Sequence, residues 1–132
     1  MLVADTNILL RLVLDDDPVH KEKVRAQIRS LEKKGEHLLL TQVVLQECLW
    51  VLESQIGLQR QEIALMLEAL LSMDVFQVES PGRLRRALHF YERYRVDFVD
   101  AYIAGASEES GHSGVLSFDK DIGKMGVKWV RP

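Results

Sequence analysis

Short apolar runs alternate with longer amphipathic stretches along this chain. The runs have the length and composition of strands, and they lie at residues 2–4, 38–40, 75–78, 115–118 and 127–130. The runs near residues 3, 39 and 116 show no alternation with polar residues. They therefore predict strands buried on both faces, as in a parallel sheet.

The stretches between these runs carry helix signals. Helices are predicted from Asp17-Pro18 to Gly35, from Thr41 to about Gly57, over 59–73, from Ser80-Pro81 to about Arg95, and from near Asp97 to before Gly111. Strands that alternate with helices indicate βαβ crossovers. The pattern therefore predicts an α/β sandwich.

Composition and length narrow the class of protein. The 132 residues are 47% hydrophobic and 28% charged, which is typical of one globular domain, so we predict a single domain over 1–132. The net charge of −3 argues against a basic protein that coats nucleic acid. Cys48 is the only cysteine, which excludes an internal disulfide. Without a leader pattern or a long apolar run, we expect no membrane association and a cytoplasmic location.

Acidic residues follow the ends of several predicted strands. Asp5 follows the first strand, Asp119 follows the fourth, and Glu47 lies less than two turns into the helix after residues 38–40. Asp97 and Asp100 lie in the first turn of the fifth helix. Because ligands bind outside the carboxyl ends of parallel strands, we expect these acids to share one edge of the sheet.

Each acid also has a purely structural interpretation. Asp97 suits an N-cap, and Asp119 suits the cap of a short turn. On a helical wheel Glu47 lies away from the polar stripe of its helix, although a long side chain at the rim of a core can still reach water. Asp100 is followed by small residues that would bring its helix close to the sheet.

Four clustered carboxylates repel one another unless a cation neutralises them. Their oxygen ligands favour Mg²⁺ or Mn²⁺ over zinc, and two such ions would balance four negative charges. Paired metals of this kind support phosphodiester cleavage. Without those four acids, the chain has 16 acidic and 17 basic residues, so the rest of the molecule is about neutral. The net negative charge therefore does not argue against a nucleic-acid partner.

Four segments, in order along the chain, resemble the motifs of PIN-domain proteins. They are Asp5-Thr6-Asn7-Ile8-Leu9, Val44-Leu45-Gln46-Glu47, Asp97-Phe98-Val99-Asp100-Ala101-Tyr102-Ile103-Ala104 and Ser117-Phe118-Asp119-Lys120-Asp121. At this length the chain is most similar to the VapC toxins of toxin–antitoxin pairs. The resemblance implies a three-layer α/β/α sandwich, PIN-like and Rossmann-like, with a parallel sheet of four to five strands.

The resemblance also implies an activity and a set of functional residues. The activity is a Mg²⁺- or Mn²⁺-dependent endoribonuclease with one or two ions, an RNA substrate and a cognate antitoxin. The implied residues are a catalytic and metal-binding quartet of Asp5, Glu47, Asp100 and Asp119, accessory acids Asp97 and Asp121, and orienting residues Thr6, Asn7 and Ser117. A homodimer is also implied, and surplus apolar residues in the stretch 59–73 are consistent with an interface.

RNA binding requires positive charge outside the acidic site. The candidates are Arg11, Arg86, Arg93, Lys120 and Lys124. The stretch 83–95 is equally consistent with a solvated amphipathic helix that packs Leu84, Leu88 and Tyr91 inward.

Two other functions remain open at this stage. One is a PIN nuclease with a housekeeping role in RNA processing. The other, of a different class, is a receiver-like signalling module that binds Mg²⁺ and accepts a phosphoryl group. A receiver would need an aspartate at the end of its third strand, and Glu79-Ser80 stands there instead.

Overall fold

The computed structural model describes all 132 residues, which form seven α-helices, one π-helical segment and five strands. The chain divides into two compact units, Met1–Glu79 and Ser80–Pro132. No helix is both long enough and apolar enough to cross a membrane.

The first unit is built around a parallel sheet of three strands in the order β1-β2-β3. Leu2 lies opposite Leu38, and Leu38 lies opposite Phe76. Its elements are β1 (Leu2–Val3), α1 (Thr6–Val13), α2 (Pro18–Lys33), β2 (Leu38–Leu40), α3 (Gln42–Trp50), the π-helix (Val51–Ile56), α4 (Arg60–Leu71) and β3 (Phe76–Val78).

Capping residues fix where the helices of the first unit begin. Asp5 caps α1, Asp17 caps α2 ahead of a proline, and Thr41 caps α3 by accepting the backbone N–H of Val44. The π-helix ends at Gly57, whose φ of 81° lies in the region that glycine adopts without strain. Fully buried side chains between these elements, such as Leu9, form the core of this unit.

The second unit contains α5 (Pro81–Arg93), α6 (Phe98–Ser107), β4 (Val115–Leu116), α7 (Asp121–Lys124) and β5 (Trp129–Val130). β4 and β5 pair in parallel, with Val115 opposite Trp129. Helices α5 and α6 pack closely at Gly105, where an added Cβ would lie 3.2 Å from Arg86 Cβ. The small residue therefore allows the two helix backbones to approach.

The predicted α/β class is confirmed, and all strand pairs are parallel. The expected sheet of four to five strands is hydrogen-bonded as one sheet of three strands and one of two. The expected burial of the strands near residues 3 and 116 is wrong, because Val3 is 60% exposed and Leu116 is 71% exposed. Both strands have one hydrogen-bonded neighbour, and an apolar run does not distinguish such an edge strand from a central one.

Helix α1 was not predicted from the sequence. Its residues are strongly apolar and directly follow a strand. A short apolar run of this kind does not distinguish a helix from a longer strand. Helix α7 was not predicted either, because the sequence indicated only a short turn after Asp119. The other five helices lie within the predicted stretches, although α3 gives way to the π-helix at Val51 and does not continue to Gly57.

Candidate functional site

Asp5 lies between the end of β1 and the start of α1. Its backbone is extended, and its carboxylate Oδ1 accepts the N–H of Thr6 at 2.8 Å. Thr6 is buried, whereas Asp5 and Asn7 are exposed. The strand-to-helix turn therefore presents the Asp5 carboxylate to solvent with one oxygen held by the backbone, as the D-T-N resemblance implies.

Glu47 lies in the second turn of α3. The helix start is fixed twice, because Thr41 accepts the N–H of Val44 and Glu79 Oε1 accepts the N–H of Gln42 at 3.2 Å. Glu79 follows β3, so this cap ties the helix to the sheet, and the sequence offers no signal for a contact 37 residues apart. Glu47 itself is exposed.

The face of α3 that carries Glu47 is exposed to solvent. Its neighbours on the helical wheel are apolar but exposed, with Val43 at 71% and Trp50 at 55%, so Glu47 can reach water without a buried partner. The next residue along the chain, Cys48, is fully buried. Burial raises the pKa of the Cys48 thiol to about 12, and the charge of Glu47 contributes to the rise.

Asp97 and Asp100 lie at the start of α6. Asp97 takes the N-cap position, but its side chain makes no capping hydrogen bond. Its carboxylate therefore accepts none of the free backbone N–H groups at the start of the helix. Asp100 is partly buried in the first turn of α6. The N-cap position that the sequence predicts for Asp97 is confirmed, and the side-chain cap is not formed.

Asp119 follows β4 and is held by the residues around it. Its N–H donates to Ser117 Oγ at 2.9 Å, and its Oδ1 accepts the N–H of Asp121 at 2.9 Å. Ser117 is itself fixed, because its N–H donates to the carbonyl of Val130 and its carbonyl accepts the indole N–H of Trp129. Ser117 therefore holds the backbone of Asp119, and the orienting role that the resemblance gives it stays a prediction.

The acids of the second unit lie close enough to influence one another. Burial raises the pKa of Asp100, and the negative charges of Asp119, Asp97 and Asp121 raise it further. Three of the other acids singled out in the sequence therefore act electrostatically on Asp100. Asp5 and Glu47 belong to the first unit, and their participation in the same site stays a prediction.

The chemistry of these donors suits a hard divalent cation, because each donor is a carboxylate oxygen and the charges repel when unneutralised. No group of three or more histidine, cysteine, aspartate or glutamate side chains is arranged to hold a metal ion. The carboxylates as placed here therefore do not form a complete coordination shell.

Several basic candidates already have acidic partners. Arg86 pairs with Glu108, and Lys124 pairs with Asp121 at 2.6 Å. Arg11 Nη1 lies 3.1 Å from Asp16 Oδ1 and 3.6 Å from Asp17 Oδ2. Their contact with RNA stays a prediction, and it would require these ion pairs to be shared or exchanged.

The other two basic candidates, Arg93 and Lys120, have no acidic partner. Arg93 lies over the ring of Tyr94, with 5.9 Å between the guanidinium carbon and the ring centroid. The expected inward packing of Leu84, Leu88 and Tyr91 is confirmed.

One strong polar cluster was missed from the sequence. Arg83 binds both carboxylate oxygens of Glu109, at 2.5 and 2.7 Å, and donates to the hydroxyl of Tyr102 at 3.1 Å. The cluster joins the start of α5 to α6 and the turn after it. Because Glu109 is 26 residues away in sequence, no local pattern predicts the pair.

An apolar groove of about 430 Å³ lies between α1, α2 and α4. Leu12, Val13, Ile28, Met66 and Leu70 line it. The end of α1 therefore contributes apolar side chains to this groove. In α4 most of the apolar residues are buried in the core, and Leu65 is the one that is largely exposed.

Comparison with known proteins places these residues in a family. The model of the PIN domain family matches residues 2–128. The chain is 28% identical over 132 residues to the VapC ribonuclease of Aquifex aeolicus (strain VF5), and the match covers 100% of this chain and 97% of that relative. No solved structure matches the chain. Because the family model covers nearly the whole sequence, this chain belongs to the PIN domain family.

Proposed function

We propose that this protein is an endoribonuclease that hydrolyses RNA phosphodiester bonds and serves as the toxin of a toxin–antitoxin pair. Membership of the PIN family supports the nuclease, and the full-length similarity to a VapC ribonuclease supports the toxin. The structural observation that carries the proposal is the crowding of acids around Asp100. Such an enzyme would act on cellular RNA in the cytoplasm.

We propose further that hydrolysis depends on Mg²⁺ or Mn²⁺ and on a quartet of acids. Asp5, Glu47, Asp100 and Asp119 would hold one or two ions, with Asp97 and Asp121 as accessory acids. The charge repulsion that acts on Asp100 supports this, because a bound cation would relieve it. The chemistry that such an ion supplies when bound is activation of water and stabilisation of the leaving oxygen.

The residues around the acids would keep the carboxylates in place. The N–H of Thr6 fixes one oxygen of Asp5, which leaves the other free to bind. Ser117 and the N–H of Asp121 fix the backbone and one oxygen of Asp119. Carboxylates that are held in this way lose less conformational entropy when they bind a ligand. No hydrogen bond joins the Asn7 side chain to these carboxylates, so the orienting role expected of Asn7 stays a prediction.

Cleavage by the purified chain tests the nuclease and its metal dependence separately. We expect cleavage of single-stranded RNA with Mn²⁺ or Mg²⁺ and none with EDTA. We also expect Mn²⁺ to raise the melting temperature of the protein, because a ligand that binds the folded state stabilises it. Cleavage in EDTA would overturn the metal dependence. An absence of cleavage with every metal and RNA would overturn the nuclease.

The contribution of the first unit can be tested through Asp5 and Glu47. We expect Asp5→Asn and Glu47→Gln to lose at least about 100-fold in kcat/KM, because each removes a charged ligand. Glu36→Gln is the matched control, since Glu36 is an exposed acid of the same unit. Wild-type rates in folded Asp5→Asn and Glu47→Gln would exclude these residues from the site.

The partner of a VapC-like toxin would be an antitoxin, and we place its binding segment in the apolar groove between α1, α2 and α4. The groove is lined by apolar side chains, and Arg25 and Arg29 also line it. A segment with apolar side chains flanked by acidic ones would match both features. We expect Met66→Asp to weaken binding of the antitoxin without reducing RNA cleavage. Unchanged binding would show that the antitoxin does not bind in this groove.

Expression in cells separates a toxin from a housekeeping nuclease. We expect induction of this chain alone to arrest growth, and induction of Asp100→Asn to leave growth unaffected. Growth that continues while one RNA species is correctly trimmed would favour RNA processing instead. Light scattering would test the expected homodimer against a 15.1 kDa monomer.

A further inference from the structure

A second, polar cleft lies in the first unit, where the start of α1 faces the start of α2. Its volume is about 400 Å³, which falls within the range of roughly 300–1,000 Å³ of small-ligand sites. Its polar lining residues are Asn7, Arg11, Asp17, His20 and Lys23. Ile8 and Val24 add apolar surface.

The basic side chains of the cleft differ in whether they already have acidic partners. Arg11 forms ion pairs with Asp16 and Asp17. His20 Nδ1 lies 2.7 Å from Asp17 Oδ2, and the N–H of His20 donates to the other oxygen at 3.1 Å. Lys23 forms no ion pair, so its ammonium group is available to a negative ligand.

Asp17 is the acid around which two basic groups of the cleft are arranged. Its carboxylate receives the backbone N–H of His20, the ring of His20 and the guanidinium of Arg11, and these contacts lower the pKa of Asp17. Arg11 is therefore paired with two carboxylates, whereas Lys23 is the cationic side chain of the cleft that pairs with none. An anionic group that enters the cleft would be attracted to Lys23.

Asn7 adds a different kind of recognition. Its side chain is exposed, makes no hydrogen bond within the protein and carries both a donor and an acceptor. It lies on the first turn of α1, two residues after Asp5 in the sequence, and Asp5 itself does not line the cleft. An amide group beside a cation suits a ligand with a polar ring edge and a negative charge, which describes a nucleotide.

We propose that this α1–α2 cleft binds one nucleotide of the RNA substrate. Lys23 contacts the phosphodiester, Asn7 contacts the base edge, and Ile8 with Val24 supplies the surface against which the base lies. The inference rests on the proposed ribonuclease function. It adds a substrate-binding role for Lys23 that the family motifs do not include.

Steady-state cleavage of a single-stranded oligoribonucleotide tests the role of Lys23. We expect Lys23→Gln to raise KM about 5- to 10-fold with kcat within twofold of wild type, because the lost contact holds the substrate and not the reacting atoms. The slope of log affinity against log salt should become shallower by about 1. Lys33→Gln is the matched control, since it removes the same charge from the other end of α2.

Binding measured without cleavage separates this inference from the proposed function. Fluorescence anisotropy with a labelled phosphorothioate oligoribonucleotide, whose backbone resists hydrolysis, should show weaker binding for Lys23→Gln than for Lys33→Gln. Equal RNA affinity of the two variants would show that the cleft does not bind RNA, even if the wild type cleaves RNA. Absence of cleavage by the wild type would overturn the proposed nuclease activity. The anisotropy result would still decide whether the cleft binds RNA.

A protein ligand is the alternative outcome of the same experiment. If Lys23→Gln binds RNA as the wild type does but loses affinity for the antitoxin, the cleft belongs to the antitoxin and the assignment to RNA is wrong. If Lys23→Gln loses RNA affinity alone, the assignment is supported.

Discussion

The two units of this protein hold their acidic residues in different ways. In the first unit, one carboxylate oxygen of Asp5 accepts the N–H of Thr6 at the start of α1, and Glu47 lies exposed on α3. In the second unit, Asp100 is partly buried, and three other carboxylates raise its pKa. The first arrangement orients isolated acids, whereas the second concentrates negative charge.

This difference decides how strongly the structure alone points to a function for each acid. A carboxylate that caps a helix already stabilises the fold, so its placement does not distinguish a capping residue from a ligand. A carboxylate that is partly buried among like charges destabilises the fold and persists where a ligand or reaction compensates for it. Asp100 is therefore the residue on which the nuclease proposal depends most directly.

The largest expected effect is the loss of activity in Asp100→Asn. We expect kcat/KM for RNA to fall at least about 100-fold, because the change removes the acid at the centre of the cluster. The free energy of unfolding without metal should not fall, since the repulsion is also removed. Asp74→Asn, at an exposed loop position of the first unit, is the control and should keep wild-type activity. A destabilised Asp100→Asn would show that Asp100 is a structural acid.

A second prediction concerns the backbone that carries Asp119. Gly114 has a φ of 134°, and a Cβ there would lie 2.6 Å from the carbonyl oxygen of Lys128. We expect Gly114→Ala to lower the free energy of unfolding by about 2–4 kcal/mol, because it combines backbone strain with a clash between the segments that carry β4 and β5. Chemical denaturation would measure this.

Gly111→Ala is the matched control for that prediction. Gly111 also has a positive φ of 89°, but a Cβ there would meet no atom within 4 Å. We therefore expect only the backbone strain, about 1 kcal/mol. Equal losses in the two variants would mean that the close approach of Gly114 to Lys128 adds nothing to the stability of the second unit.

The sequence predicted much of this structure because its signals are local. The strand at residues 38–40, the caps Asp17 and Thr41 and the acids after strands are readable from neighbouring residues. The bidentate pair of Arg83 with Glu109 was not predictable, because it joins segments 26 residues apart. The exposure of Val3 and Trp50 was not predictable either, since an apolar residue carries no mark of whether a neighbouring element covers it.

The Arg83 cluster gives a third and smaller prediction. Arg83→Lys keeps the charge but cannot bind both oxygens of Glu109 while also reaching the hydroxyl of Tyr102. We expect a loss of at most about 1 kcal/mol in the free energy of unfolding, because the pair is partly exposed to solvent, which screens it. Tyr102→Phe removes one hydrogen bond and should cost about 1 kcal/mol or less. Arg83→Lys would contradict this account if its stability equalled that of the wild type.

The smallest expected effect is the pH dependence of stability that the raised pKa of Asp100 produces. Between the ordinary pKa of an aspartate, about 3.9, and the raised value, the folded protein binds a proton that the unfolded chain has lost. Stability contributed by this residue must therefore decrease as pH rises through that window, and the full penalty is present above it. In EDTA, the difference in melting temperature between Asp100→Asn and the wild type should be positive at neutral pH and shrink as pH falls towards 4. A difference that does not change with pH would mean that the charges of Asp97, Asp119 and Asp121 do not act on Asp100, and the contrast between the two units would then be lost.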